Sequence, residues 1–134
     1  MTDSNAADRA LDVVCVGNAI VDVLAQTADD VIEQHGMVKG TMALIDADQA
    51  EALYAAMPQG VETSGGSAGN TAAGLASLGA QCAFIGKVRD DQLGDIFAHD
   101  IRAVGAEFVT PAATDGPPTA RCLIMVTPDA MRTM

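Results

Sequence analysis

Positive charge is scarce in this chain: seven Lys and Arg stand against eighteen Asp and Glu, a formal net charge of −11. The few basic residues are scattered, so no basic face is available to neutralise phosphates, and DNA or RNA is not an expected partner. No apolar run approaches the roughly 20 residues of a bilayer-spanning helix, so no membrane partner is expected either. The opening MTDSNAADRALD is acidic and polar, unlike a secretory signal peptide. Cys15, Cys82 and Cys122 are odd in number and lie in apolar, strand-like runs. Such thiols suit core packing in a reducing cytoplasm better than a disulfide framework, which makes a cytoplasmic location the expectation. His35 and His99 fall on predicted helices, away from any Cys or acid pair with ligand spacing, so no metal site is expected. Two phosphate motifs are also missing. Gly65 to Gly69 lacks the Lys-Ser/Thr of a P-loop, and Gly17 stands alone where a dinucleotide fingerprint needs three glycines.

What the chain does have is concentrated between Ser64 and Gly94, SGGSAGNTAAGLASLGAQCAFIGKVRDDQLG. Paired glycines open an Ala-rich helix, a Gly-Ala corner follows, and an apolar strand leads on to Gly94. Glycines at a helix mouth let a ligand approach the backbone closely. The helix start adds unpaired N–H groups and a positive dipole end. Asn70 can both donate and accept toward a hydroxyl-rich ligand. The blander account is a helix N-terminus with Gly in a tight turn and Asn as a polar first-turn residue.

Elsewhere the patterning is that of a mixed chain. Residues 1–11 read as a disordered tail. Asp12–Gly17 is a β-branched run with Ile20–Leu24 as its extended continuation, and Met42–Ile45 is a further extended piece. Thr27 and Asp30 suit the cap and first-turn acid of a short helix that Gly36 stops. Asp46 and Gln49 have capping-box spacing, ahead of an apolar face of Ala50, Leu53, Tyr54 and Met57 that Pro58 ends. Helix 69–78 and strand 81–85 are echoed by helix 92–104 and strand 107–110, each pair joined by Gly-Ala. That rhythm predicts β-α-β crossovers and a parallel sheet covered by helices. Asp90 and Asp91 suit helix capping better than cation binding. A Pro-rich loop then leads into a strong strand over 119–127, with a Pro128-Asp129 turn and a return strand from Met131.

The Gly65-Gly66, Asn70, Ala72 and Gly79 series, with a further Gly beyond, resembles the first signature of the PfkB family of carbohydrate kinases. Gly17-Asn18 with Asp22, and the closing Arg132-Thr133-Met134, resemble its adenosine kinase branch most. The resemblance runs from about Asp12 to Met134. It implies an α/β fold: the N-terminal part of a ribokinase-like, doubly wound, Rossmann-like sheet with a small β lid near 37–45, 61–65 and 119–134. It further implies ATP- and Mg2+-dependent phosphorylation of the primary hydroxyl of a nucleoside or sugar, adenosine first, with ribokinase- or fructokinase-type sugar phosphorylation as the alternative. By resemblance, Asn18, Asp22, Gly65, Gly66 and Asn70 bind the acceptor, and Arg132 meets phosphate. Asp22 as a solvated turn acid and Arg132 as an exposed hairpin arginine are the competing accounts. Family members are more than twice as long, and their general base and ATP pocket lie beyond the position of Met134. This chain therefore reads as 12–134 of a longer kinase domain whose catalytic, ATP-binding half is absent, inactive alone. A non-catalytic sugar- or nucleoside-binding module is the rival reading. Pairing of two copies through the lid is allowed by the resemblance.

Overall fold

The computed structural model describes residues 10–134, so most of the tail expected at 1–11 lies outside the described residues. Two sheets divide the strands. In the first, β1 (Val13–Val16) pairs in parallel with β4 (Cys82–Ile85), Val13 opposite Cys82 and Val16 opposite Ile85. Glu107 extends this sheet by a parallel bridge to Ala83, so the strand expected over 107–110 is reduced to one bridged residue. The second sheet has the order β3-β2-β5-β6, formed by Val61–Gly65, Ile20–Gln26, Ala120–Val126 and Arg132–Thr133. Here β2 runs antiparallel to β3 and parallel to β5.

Ile20–Leu24 therefore does not continue β1 in its own sheet. The Gly17-Asn18-Ala19 turn carries the chain from one sheet to the other, anchored by the Gly17 N–H on Ile85 O at 3.1 Å. Met42–Ile45 forms no regular strand. Thr41 and Ala43 nevertheless exchange two backbone hydrogen bonds with Met134, at 3.0 and 2.9 Å, beyond the β6 edge. Residues 37–45 thus lie along the four-stranded sheet without the ladder of a full strand.

Four helices complete the chain among the described residues: α1 (Asp29–Gln34), α2 (Ala47–Ala56), α3 (Ser67–Ser77) and α4 (Gln92–Ala103). The Asp46–Gln49 capping box is present with both of its hydrogen bonds. The expected cap at Thr27 is displaced. Ala28 is the N-cap of α1, while the Thr27 N–H bonds Val126 O at 3.0 Å, because β2 stays in register with β5 to its last residue. Asp30 is in the first turn of α1, as expected, beside Asp29.

The core lies between the β1–β4 pair and helices α3 and α4. All three phenylalanines of the chain meet there: Phe84, Phe97 and Phe108 have ring centroids 5.3–5.9 Å apart. Each such pair contributes roughly 0.5–1.5 kcal/mol beyond the area it buries. Leu93, Phe97 and Ile101 of the α4 stripe are buried, whereas Val104, at its end, is exposed. Cys15 and Cys82 pack in this core, and all three cysteines are free thiols. On the other face of the first sheet Val14, Val16 and Ile85 stay 47–70% exposed. No helix among the described residues is long and apolar enough to cross a membrane.

Candidate functional site

Strand alternation sorts the four-stranded sheet into two faces. One carries Val21, Val23, Ala25, Leu123, Met125 and Thr133, all buried. The other carries Asp22 with its register partners Thr63 and Cys122, and stays half open. Asp22 is half-buried, and among the described residues its carboxylate has no hydrogen bond or ion pair. Burial pushes its carboxyl above the ordinary value. The same burial, with the Asp22 charge, pushes the neighbouring Cys122 thiol up.

The double glycine is required where it stands. A Cβ at Gly65 would come no more than 2.7 Å from each of the three Asp22 carboxyl atoms. Gly66 is the N-cap of α3 at φ +82°, a conformation that favours glycine, and a Cβ there would meet the Asn18 carbonyl at 3.0 Å. A Cβ at Gly17 would overlap Ala68 at 2.7 Å. The turn after β1 and the start of α3 therefore interlock, which brings Asn18, Asp22, Gly65 and Gly66 together. No side chain caps α3, which leaves the N–H groups of its first turn without a side-chain partner. Asn70 lies one turn in, its N–H on Gly66 O at 2.8 Å and its side chain exposed.

A model of the pfkB family of carbohydrate kinases matches residues 10–134, nearly all of the chain. The chain belongs to that family. The adenosine kinase of Sinorhizobium meliloti is 57% identical over 91% of the chain, with a TM-score of 0.79. A probable sugar kinase protein from Rhizobium etli is 52% identical over 91%, also at 0.79. The Anopheles gambiae adenosine kinase, solved with P1,P4-di(adenosine-5) tetraphosphate, shares the fold at 20% identity and a TM-score of 0.78, over 90% of the chain. No curated protein matches the sequence at a significant level. The chain spans 37% of the length of each of these three solved relatives. The α/β architecture with its parallel and mixed sheets is thus the ribokinase-like one expected.

Arg132 is not part of the Asn18–Asp22–Gly65–Gly66 group. It pairs with Val126 at the far end of β5, four residues beyond Cys122, about 13 Å along the strand. It is exposed, on the same face as Asp22, with no ion pair among the described residues. A groove of about 350 Å³, lined by Val23, Tyr54, Met57 and Glu62 among others, lies on the opposite face and includes none of the candidate residues.

Several contacts of this pfkB-family chain go beyond the sequence reading, which had Asp91 only as a helix-capping acid. The Asp91 carboxylate caps α4 on the Gly94 N–H and also holds Thr119, just before β5. Asp100 accepts from the Ser64 N–H at 3.0 Å. Arg121 stacks over the Tyr54 ring at 5.3 Å and pairs with Glu51 at 3.0 Å. Only the Asp91 cap had a signal in the sequence, the acid three residues before a glycine at a helix start.

Proposed function

We propose that this chain is the acceptor-binding portion of an ATP- and Mg2+-dependent kinase that phosphorylates the primary hydroxyl of a nucleoside, adenosine before any sugar. Asp22 carries the reading. It is a half-buried acid without a partner among the described residues, pressed against a glycine where two chain reversals interlock. An acid in that state is satisfied when two adjacent hydroxyls donate to it, each worth roughly 1.5–3 kcal/mol. Asn18 shapes that end of the site, Gly65 and Gly66 let the ligand reach the backbone, and Asn70 bonds a further hydroxyl. Arg132, at the tip of the sheet, stabilises the charge of the phosphoryl group, a task that suits a planar guanidinium. The four-stranded sheet, with residues 37–45 beside it, acts as the lid.

The described residues of this chain do not themselves fit Mg2+, and its glycine loop is not a nucleotide-phosphate loop. Among those described, no group of three or more His, Cys, Asp or Glu could hold a metal ion. The glycine loop has no Lys-Ser/Thr pair. In this reading the nucleotide site and the general base belong to parts of the kinase outside this chain, and the chain alone is inactive. The identity to the Sinorhizobium meliloti adenosine kinase supports the nucleoside. The nearly equal identity to the Rhizobium etli probable sugar kinase protein favours, as the second reading, a ribokinase- or fructokinase-type acceptor. Pairing of two copies through the lid and a cytoplasmic location complete the proposal.

ATP consumption by the full-length protein, with adenosine, ribose and fructose offered in parallel, tests it. Preference for adenosine is the expected result. Preference for ribose or fructose replaces the nucleoside with a sugar, and turnover of none leaves a binding module without phosphotransfer.

A further inference from the structure

Helix α4 grips both strands that flank β2. At its start, the Asp91 carboxylate accepts from the Gly94 N–H at 2.8 Å and from the N–H and hydroxyl of Thr119 at 2.9 and 2.7 Å. Thr119 leads directly into β5. Two and a half turns later, Asp100 Oδ2 accepts from the Ser64 N–H at 3.0 Å, while its Oδ1 lies 3.2 Å from His99 Nδ1. Ser64 belongs to β3, the edge strand of its sheet. An N–H on the outer side of an edge strand has no ladder partner, and a carboxylate placed on it both fixes the strand and blocks further pairing. The next residue is Gly65, where the Asp22 carboxylate fills the space a Cβ would need.

We infer that Asp100 is a positioning residue for acceptor binding: by holding Ser64 it keeps Gly65 against Asp22 and so fixes the carboxylate presented to the ligand. The inference rests on the acceptor-site reading above. Asp91 does the equivalent for β5, but it also caps α4, so its removal perturbs the helix as well. Asp100 sits in the body of the helix and separates the two effects.

The test compares the full-length protein with its Asp100→Ala and Asp100→Asn variants, using two readouts. Amide hydrogen exchange over residues 61–70 reads the strand directly and needs no substrate. Steady-state kinetics with adenosine, ribose and fructose reads the acceptor KM against kcat and the KM for ATP. In Asp100→Ala, exchange at Ser64–Gly66 accelerates and the acceptor KM rises about tenfold, with the KM for ATP unchanged. Asp100→Asn, whose amide oxygen still accepts, stays within about threefold of the wild type. Asp100→Glu, which displaces the carboxylate by one methylene, replaces the alanine variant if that one does not fold. Unchanged exchange, or faster exchange with an unchanged acceptor KM, overturns the inference. A wild type that prefers a sugar defeats the nucleoside reading, and the Asp100 effect is then read on that sugar. A wild type that turns over none of the three removes the kinase reading and this inference with it.

Discussion

The carboxylate of Asp22 occupies the space that a Cβ on Gly65 would need, which leaves no room for a methyl group there. Gly65→Ala therefore drives Asp22 from its position or pushes β3 off β2. Overpacking of this kind costs roughly 1–3 kcal/mol. The expected outcome is a melting temperature lower by several degrees and an acceptor KM at least tenfold higher. An alanine variant with wild-type KM would show that the orientation of Asp22 is immaterial to binding.

Asp22 itself couples stability to ligand binding in opposite directions. Its folded-state pKa is raised by burial, so the native state holds its proton more tightly than the unfolded chain does. Stability is therefore lost as pH rises from the ordinary carboxylate value through the raised one, and the loss persists at neutral pH. Asp22→Asn removes that loss. Without ligand, it melts higher than the wild type at pH 7, and the gap closes below pH 4. Its acceptor affinity falls about 10- to 100-fold, because a charged acceptor of hydroxyl protons is gone. Calorimetry with and without acceptor checks both halves.

Lys39 joins two segments distant in sequence, pairing with Asp29 of α1 and, at 2.8 Å, with Asp129 in the β5–β6 turn. Hydrogen bonds from Lys39 and from the Thr127 hydroxyl lower the Asp129 carboxyl to about 2. A depressed carboxylate contributes stability above its unfolded value, and that contribution disappears as pH falls from about 4 toward 2. In Lys39→Met, carboxyl NMR titration should show Asp129 rising toward, but not to, its ordinary value of 3.8, since Thr127 still donates. Thermal stability at neutral pH should change little, because exposed pairs are weak.

Thr119 receives the Arg89 N–H on its hydroxyl at 2.9 Å and donates that hydroxyl to Asp91. Burial works to raise the Asp91 carboxyl, yet hydrogen bonds from Thr119 and Gly94 hold it below its ordinary value. Thr119→Val keeps the shape but leaves the Arg89 N–H without its acceptor. A loss of about 1–2 kcal/mol in urea unfolding is expected. The acid sensitivity contributed by Asp91 should weaken in the same variant, as its carboxyl moves back up.

Arg132 is exposed and unpaired among the described residues, so its substitution should leave the fold intact. Arg132→Ala should lower kcat by about tenfold or more at unchanged acceptor affinity, because stabilisation of developing charge appears only in the transition state. Arg132→Lys should recover little, since a point charge does not replace a planar donor fork. Equal loss in acceptor binding would assign Arg132 to the ligand instead of the phosphoryl group.

Much of the local structure was legible in the residue order. The Asp46–Gln49 box, the α4 stripe of Leu93, Phe97 and Ile101, and the glycines after α3 and α4 all act within a few residues of themselves. Caps and periodicity are short-range effects, and so the sequence alone determined those helices and the glycine pair that opens α3. Partnership between strands is not short-range. Ile20–Leu24 is as apolar as a strand of the first sheet, and nothing local says that the turn at Asn18 sends it to the second. The same holds for Thr41 and Ala43 beside Met134, for Asp100 on Ser64, and for Gly65 against Asp22. Those contacts join residues 36 to 93 positions apart, and only the closing of the chain on its core decides them, because strand preference is set by the neighbours a strand acquires.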